Sequence, residues 1–334
     1  MQNKRISIED VAKRAGVSIT TVSRVINNIP TVSDKNRIKV EEAIAHLKFK
    51  PNVSAQRLAS GTTNSIGLVM PGYPGIFHSY YAIEIMRGVG HACESLRLDL
   101  MFHITNGSNP LNPYSVGGLI FADIIENRKQ VESALAVGAS CLVVNNKADD
   151  MDVNYIAIDN QKGGELAADY LVSLGHKRIA TVTGNLTTQA GEYRLDGFKR
   201  ILEEKSVPLP QEYIYEGDFS RRSARAAAEH FFALKNPPTA IFAHSDDMAL
   251  EIIAVAFEKG IKVPSELSII GFDDNPICLY GPVGLTTIRQ PLFRMAEEAV
   301  RQLNSIISGK SKSKKKTVLE PELVIRESCA PPKK

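Results

Sequence analysis

Apolar positions recur at helical spacing through the first fifty residues and in strand-like runs afterwards. Ile8, Val11, Ala12 and Ala15 fall on one side of a predicted first helix. Ser7 is placed to cap it, and Asp10 three residues later completes a short-armed capping box. Gly16 supplies a turn, Ser18 caps a second helix, and Val22, Val25 and Ile26 give that helix an apolar side. Pro30 interrupts the pattern. Ser33 caps a third helix, carried inward by Val40, Ala43, Ile44 and Leu47, and Pro51-Asn52 ends it. Residues 52–60 form a short stretch that is marginal as an isolated helix, because nucleation is costly.

From Ser65 the rhythm changes. The runs SIGLVM, LDLMFHI, VGGLIFAD, CLVVNN, YIAID, RIATVTG, YIYEGDF, TAIFAHS and LSIIGFDD read as strands. Helical stretches such as 82–97, 163–174, 192–204, 221–234 and 247–259 lie between them. Such βα repetition predicts parallel sheets with helices on both faces, and nine strands exceed one comfortable open sheet. Two lobes with a cleft between them are expected. Ligands of open α/β sheets sit beyond the C-terminal ends of strands, so the polar residues there carry the functional interest. One connector breaks the rhythm. TNGSNPLNPYS, between the second and third runs, holds two prolines and several Asn and Ser, so a helix-free crossover is expected.

The 334 residues are 43% hydrophobic and 23% charged, which excludes global disorder and a fibrous chain. No apolar run approaches the ~18 residues of a membrane span. The opening MQNKRISIED has no apolar h-region, so a secretory signal is not expected. Four dispersed cysteines without a CxxC suit a reducing cytoplasm, where the protein is expected to reside, and no cofactor or metal is expected. The charge is uneven. Residues 1–61 hold eleven Lys/Arg against five Asp/Glu, a formal +6, which leaves −3 for the rest of a chain with net +3. A basic head on a mildly acidic body points to a polyanion partner for the head.

The segment VAKRAGVSITTVSRVINN has the helix–turn–helix pattern, and the N-terminal end of its second helix exposes Ile19, Thr20, Ser23 and Arg24. Arginine can take guanine O6 and N7 together, an aliphatic side chain suits a thymine methyl, and hydroxyls suit phosphate oxygens. The run Ile8 to Asn27, with Pro51-Asn52 and Ala55-Gln56-Arg57-Leu58 behind it, resembles the headpiece and hinge of the lactose-repressor (LacI/GalR) family of bacterial transcription regulators. So do LGHKRIA at 174–180, YRLDGF at 193–198, TAIFAHSDDMAL at 239–250, VPSELSIIGFDD at 263–274, LTTIRQP at 285–291 and ELVIRES at 322–328.

The resemblance implies an all-α helix-turn-helix headpiece over 1–50, a hinge over 51–62, and a two-lobed α/β effector-binding and dimerisation domain, periplasmic-binding-protein-like, over 63–334. Lobe 1 is expected at about 63–159 and 290–316, and lobe 2 at about 160–289 and 317–330. It implies a repressor that binds a pseudo-palindromic operator in double-stranded DNA as a homodimer. Its operator affinity would be modulated by a small, sugar-like ligand between the lobes. It implies base-reading roles for Ile19, Thr20 and Arg24, phosphate contacts for Thr21 and Ser23, and DNA contact for Asn27 and Ala55. Leu58 would be a minor-groove wedge. Asn145, Asp159, Arg194, Phe219, Ser245 and Asp273 match positions that line the effector cleft. An Arg and an Asp with amide or hydroxyl partners can clamp vicinal hydroxyls, and an aromatic face can cover an apolar ring face.

Other readings are plainer. Asp246 and Asp247 read as helix-capping acids, His176 as structural, and the run Lys310 to Lys316 as a solvated loop. An enzyme is disfavoured, for there is no GxSxG elbow, Walker loop or HExxH, and Gly88-Val89-Gly90 falls inside a helix. A transporter's solute-binding module would share the body but lack the basic head. A member that has lost its ligand response is the remaining alternative.

Overall fold

The computed structural model describes residues 7–26, 31–47, 49, 64–72, 76–106, 108–124, 127–311 and 314–333. The chain divides into two compact units, residues 1–63 and 64–334.

Among its described residues the first unit has three helices, α1 (Ile8–Ala15), α2 (Ile19–Ile26) and α3 (Asp34–Leu47). The expected capping box is present, with Ser7 N–H donating to Asp10 at 2.8 Å and Asp10 N–H donating to the Ser7 hydroxyl at 3.3 Å. Gly16 closes α1 in the left-handed region at φ 66°, which lets the chain turn sharply into α2. Val11, Ala12, Ala15, Val22, Val25, Val40 and Ala43 form the small core.

The second unit holds two six-stranded sheets. The strands are β1 (Ser65–Pro71), β2 (Asp99–Thr105), β3 (Gly118–Phe121), β4 (Cys141–Val144), β5 (Asn154–Ile158), β6 (Ile179–Val182), β7 (Ile214–Tyr215), β8 (Ala240–Ala243), β9 (Ser268–Asp273), β10 (Thr286–Arg289), β11 (Lys316–Leu319) and β12 (Glu322–Val324). The lobe 1 sheet runs β11-β5-β4-β3-β1-β2, wholly parallel. The lobe 2 sheet runs β12-β10-β9-β8-β6-β7, parallel except for β12 against β10. The helices are α4 (Tyr80–Leu96), α5 (Arg128–Ala136), α6 (Asn160–Ser173), α7 (Gln189–Glu204), α8 (Arg221–Ala233), α9 (Asp246–Glu258) and α10 (Leu292–Ile307).

Each sheet is covered on both faces, as parallel sheets require. In lobe 1, α4 and α10 pack on Ile66, Leu68, Met70, Ile120 and Leu142, while α5 meets Val69, Leu119, Phe121 and Val143. In lobe 2, α8 and α9 cover one face and α6 and α7 the other, where Phe198, Phe242 and Phe272 are buried. The chain passes between lobes after β5, after β10 and after β11. Because β11 pairs with β5 through Leu319, the last passage lies near residue 320, a few residues beyond the expected 316/317 boundary.

The connector from β2 to β3 carries no α-helix among its described residues. It makes a single 3₁₀ turn at Pro113–Ser115, with the Asn112 side chain accepting from Tyr114 N–H at 3.0 Å. Since β3 lies on the far side of β1 from β2, this segment crosses over β1. Leu111 packs into the core there, whereas Tyr114 stands 74% exposed.

Candidate DNA-reading helix and ligand cleft

In the first unit α2 presents two different faces. Val22 and Val25 are buried, while Ile19, Thr20 and Arg24 are exposed and Thr21 and Ser23 half-buried. Ile19 is 47% exposed, so its side chain is available at the start of α2. Ser18 starts the helix by accepting from Thr21 N–H at 3.1 Å, and its hydroxyl lies 2.9 Å from that of Thr21. Thr21 is therefore tied to the cap as well as facing outward. Asn27, Ala55 and Leu58 lie outside the described residues.

The second unit gathers its unusual chemistry at the C-terminal ends of the strands. Arg194, on α7, is 3% exposed. Its Nε donates to Asn160 Oδ1 at 2.9 Å and its Nη1 to the His244 carbonyl at 2.5 Å. Its guanidinium carbon lies 3.5 Å from the centre of the Phe272 ring and 5.9 Å from that of Phe219. Burial pulls its pKa down to about 10, against the pull of Asp273 and Asp246, so it stays charged at neutral pH. The placement is built into two glycines. An added Cβ at Gly164 would lie 2.0 Å from the Arg194 carbonyl oxygen, and one at Gly197 would lie 1.9 Å from that of Gln161. Only bare backbone lets α6 and α7 approach this closely.

Asp273 ends β9 at φ 126° and accepts a hydrogen bond from the Gln290 side-chain amide. Desolvation pushes its carboxyl upward, opposed first by Arg194. Asp246 is fully buried, accepting from the Thr287 hydroxyl at 2.5 Å and from Asn275 N–H at 2.8 Å. Burial and the Asp273 charge raise its pKa well above the usual range. Its role is thus to fasten β10 and the 275 loop to α9, rather than to cap the helix.

Asn145 follows β4 at φ 68° with its Oδ1 buried and unpartnered among the described residues. Phe219 sits at φ 65° with its ring laid on Gly184. Asn145, Phe219 and Asp273 are thus three non-glycine residues in the left-handed half of backbone space, the kind of local strain that clusters at ligand sites.

Two of the expected cleft residues have a structural role. Asp159 caps α6, accepting from Lys162 N–H at 3.0 Å, and Ser245 caps α9, accepting from Met248 N–H at 3.3 Å. Both adjoin residues that hold Arg194, namely Asn160 and His244.

Sequence reasoning missed four residues. Gln290 keeps its Oε1 buried and unpartnered while its amide holds Asp273. It stands in the LTTIRQP motif, which was a usable signal. His244 is fully buried with both ring nitrogens unpartnered among the described residues, its ring 4.9 Å from that of Phe242, and burial with the Arg194 charge drives its pKa well below 6.5. Tyr80, at the start of α4 in lobe 1, has its phenol pKa raised by burial and by nearby acids that include Asp273, Asp274 and Asp246 of lobe 2. It adjoins a Gly/Pro-rich loop in which the sequence allowed no assignment. Gln189 contacts lobe 1 directly, as described below. Among the described residues there is no cluster fit to hold a metal, and no helix is long and apolar enough to cross a membrane.

Residues 7–52 match the family of bacterial regulatory proteins of the lacI type, and residues 168–329 match a periplasmic binding protein-like domain. The chain is 36% identical to the HTH-type transcriptional regulator DegA of Bacillus subtilis (strain 168), covering 98% of this chain and 99% of that protein. Among solved structures it is similar to the Lac repressor dimer bound to operator and the anti-inducer ONPF, at 27% identity and TM-score 0.82, covering 98% of this chain and 100% of the other. It is also similar to the transcriptional regulator CelR–cellobiose complex, at 28% identity and TM-score 0.72, covering 97% of this chain and 100% of the other.

Proposed function

The chain belongs to the lacI family of bacterial regulatory proteins, and from that premise we propose that it is a DNA-binding transcriptional repressor whose operator affinity responds to a small, sugar-like ligand held between its lobes. What carries this reading is a pairing within one chain. An exposed Ile19–Thr20–Arg24 face lies on a capped helix, and a buried Arg194 with Asp273 lies in a body whose Asn145 and Gln290 keep acceptors unpartnered. Buried polar atoms without partners carry a desolvation penalty that a polyhydroxyl ligand would relieve.

In this reading Arg194 donates to ligand hydroxyls through the guanidinium hydrogens not engaged by Asn160 and His244. Asp273 accepts from them, and Phe219 covers an apolar ring face. The related CelR structure holds cellobiose, which supports a carbohydrate class for this chain. A second copy completes the DNA-binding unit, so that two-fold protein symmetry meets a pseudo-palindromic operator. Ile19, Thr20 and Arg24 read bases, Thr21 and Ser23 contact phosphates, Asn27 and Ala55 contact DNA, and Leu58 wedges into the minor groove. No catalytic step is assigned to it, and its work on DNA places it in the cytoplasm.

The test has two arms. Selection of bound duplexes from a random pool should return a pseudo-palindrome, and Arg24→Ala should weaken the best site by roughly 1–3 kcal/mol and relax one base pair per half-site. An equal loss on selected and random DNA would leave Arg24 with phosphate contact alone. A thermal-shift screen of sugars against nucleobases should give stabilisation by a sugar. Stabilisation by a nucleobase alone would overturn the carbohydrate assignment.

A further inference from the structure

Two hydrogen bonds join the lobes beside the cleft. Lys147 N–H donates to Gln189 Oε1 at 2.9 Å, and the Gln189 amide Nε2 donates back to the Lys147 carbonyl at 2.8 Å. Lys147 lies three residues beyond β4 in lobe 1, just past Asn145. Gln189 is the first residue of α7 in lobe 2, the helix that carries Arg194. One side-chain amide thus satisfies both polar groups of one backbone residue, as a neighbouring strand would. Both residues are half-buried, so water competes with the pair only in part.

From this geometry we propose that Gln189 is a positioning residue that presets the cleft closed before any ligand enters, holding Asn145 and Arg194 in register. The clasp spans two lobes that the backbone joins at three passages. If the lobes part at this edge, both hydrogen bonds break together. The clasp therefore favours the closed arrangement by its whole free energy. The helix end that bears Gln189 is fixed independently. Thr188 caps α7 by accepting from Gly191 N–H at 3.0 Å, and an added Cβ at Gly191 would lie 2.2 Å from the Asn185 carbonyl oxygen. The α7 start is thus rigid, and removing the Gln189 amide should not unravel it. On the other side the Asn145 N–H bonds the Ile156 carbonyl at 2.8 Å and Asn146 Oδ1 accepts from Ile124 N–H at 3.1 Å, so the Lys147 end is anchored too. A clasp between two anchored ends reports and restrains lobe motion rather than loop motion.

The experiment uses the full chain without ligand. Spin labels on Lys129→Cys in lobe 1 and Lys199→Cys in lobe 2, both exposed positions, in a Cys329→Ser background, give an interlobe distance distribution. Gln189→Met removes both hydrogen bonds at nearly constant volume. Gln189→Glu keeps the acceptor but sets a carboxylate against the Lys147 carbonyl. Both variants should lower the closed-to-open ratio, by roughly fivefold or more in Gln189→Met, which loses two neutral hydrogen bonds. The amide exchange of Lys147 should accelerate by the same factor while β4 amides stay protected. Urea midpoints should fall by no more than that same factor implies, while the interlobe distances lengthen, a change that a merely structural role would not produce. Distance distributions that match the parent in both variants would overturn the proposal. So would an open cleft in the parent itself. Neither outcome depends on whether the ligand is a sugar, so failure here is separable from failure of the carbohydrate reading.

Discussion

The guanidinium of Arg194 lies flat enough on Phe272 to place its carbon 3.5 Å from the ring centre, and Asp273 follows that ring in sequence. One short β9 end therefore supplies both the ring on which the cation rests and a carboxyl whose upward shift the Arg194 charge opposes. A lysine could not substitute, for it lacks the planar fork and the stacking face. Arg194→Lys should retain the fold but abolish sugar-induced stabilisation in the thermal-shift assay. Arg194→Ala should in addition destabilise the apo protein by on the order of 3 kcal/mol, since Asn160 Oδ1 and the His244 carbonyl lose their donor inside the protein. Undiminished ligand affinity by calorimetry in Arg194→Lys would remove Arg194 from the site.

The α6–α7 contact makes a second, purely steric prediction. At Gly197 the obstacle to a Cβ is the Gln161 backbone oxygen, which cannot swing aside as a side chain could. Gly197→Ala should cost roughly 1–3 kcal/mol in urea unfolding, typical of overpacking, and should weaken ligand binding by shifting the helix that carries Arg194. Gly90→Ala is the contrasting case. A Cβ there meets nothing within 4 Å and the site is mid-helix, so stability should rise by up to ~1 kcal/mol. Equal effects of the two substitutions would show that helix spacing is unimportant.

Much of this arrangement was legible in the residues. All nine apolar runs are strands, and Ser7, Asp10, Gly16 and Ser18 mark the first two helices as read. The strands that escaped notice, β10, β11 and β12, are three or four residues long and rich in Thr, Lys, Arg or Glu, so no apolar run announces them. Their neighbours define them instead. Of the residues expected in the cleft, Asn145, Phe219 and Asp273 hold positive φ and Arg194 is buried beside Phe272. Asp159 and Ser245 cap helices as well, for the residue types that bind hydroxyls are also those that cap. The Gln189 clasp left no trace, since its partner is a peptide group that every residue possesses.

Two buried histidines contribute to the acid response. His176 is 2% exposed, its Nε2 donating to the Ala330 carbonyl at 3.0 Å and its Nδ1 lying 2.9 Å from the Thr239 hydroxyl. Burial lowers its pKa below 6.5, as it does more strongly for His244. Below the unfolded value the unfolded chain binds more protons than the folded one. This stabilisation is therefore complete above about pH 6.5 and is lost progressively as pH falls toward the depressed folded values. Asp246 and Asp273 work in the opposite sense, because their folded pKa values are raised and acid relieves their burial. A difference measurement separates the two. The stability of the parent minus that of His176→Gln should decline below pH 6.5, by at most ~1.4 kcal/mol per pH unit. A difference independent of pH would show that His176 is not held neutral.

Strand β2 is one edge of the lobe 1 sheet, and its exposed apolar side chains are expected to take part in self-association. Leu100, Phe102 and Ile104 pair in register with the core residues Ile66, Leu68 and Met70, yet they remain 36–38% exposed. Phe77, 53% exposed, brings its ring to 6.1 Å from that of Phe102. Contiguous apolar surface of this kind marks an interaction site. Phe102→Glu should raise the dimer dissociation constant at least tenfold in sedimentation while leaving the melting temperature of the monomer within ~3 °C, as befits a side chain already partly in water. Unchanged self-association would place the dimer interface elsewhere.

The side of β2 that carries Met101 and His103 is held by the helix-free crossover through few bonds. The Ser115 hydroxyl lies 3.8 Å from the Met101 sulfur, and the His103 Nε2 lies 2.7 Å from the Asn109 carbonyl oxygen. Met101 remains 38% exposed under this cover, so the packing is thin where a helix would have been continuous. Energy passes between distant sites through packed elements that have discrete alternative arrangements, and a loosely covered edge strand has many shallow ones. Ligand binding in the cleft should accordingly shift operator affinity only modestly, toward the lower end of the usual ~1–3 kcal/mol. Operator titration with and without a saturating sugar measures the shift directly. A change of a hundredfold or more, roughly 2.7 kcal/mol, would mean that coupling runs through α4, α10 and the Gln189 clasp without needing the cover over β2.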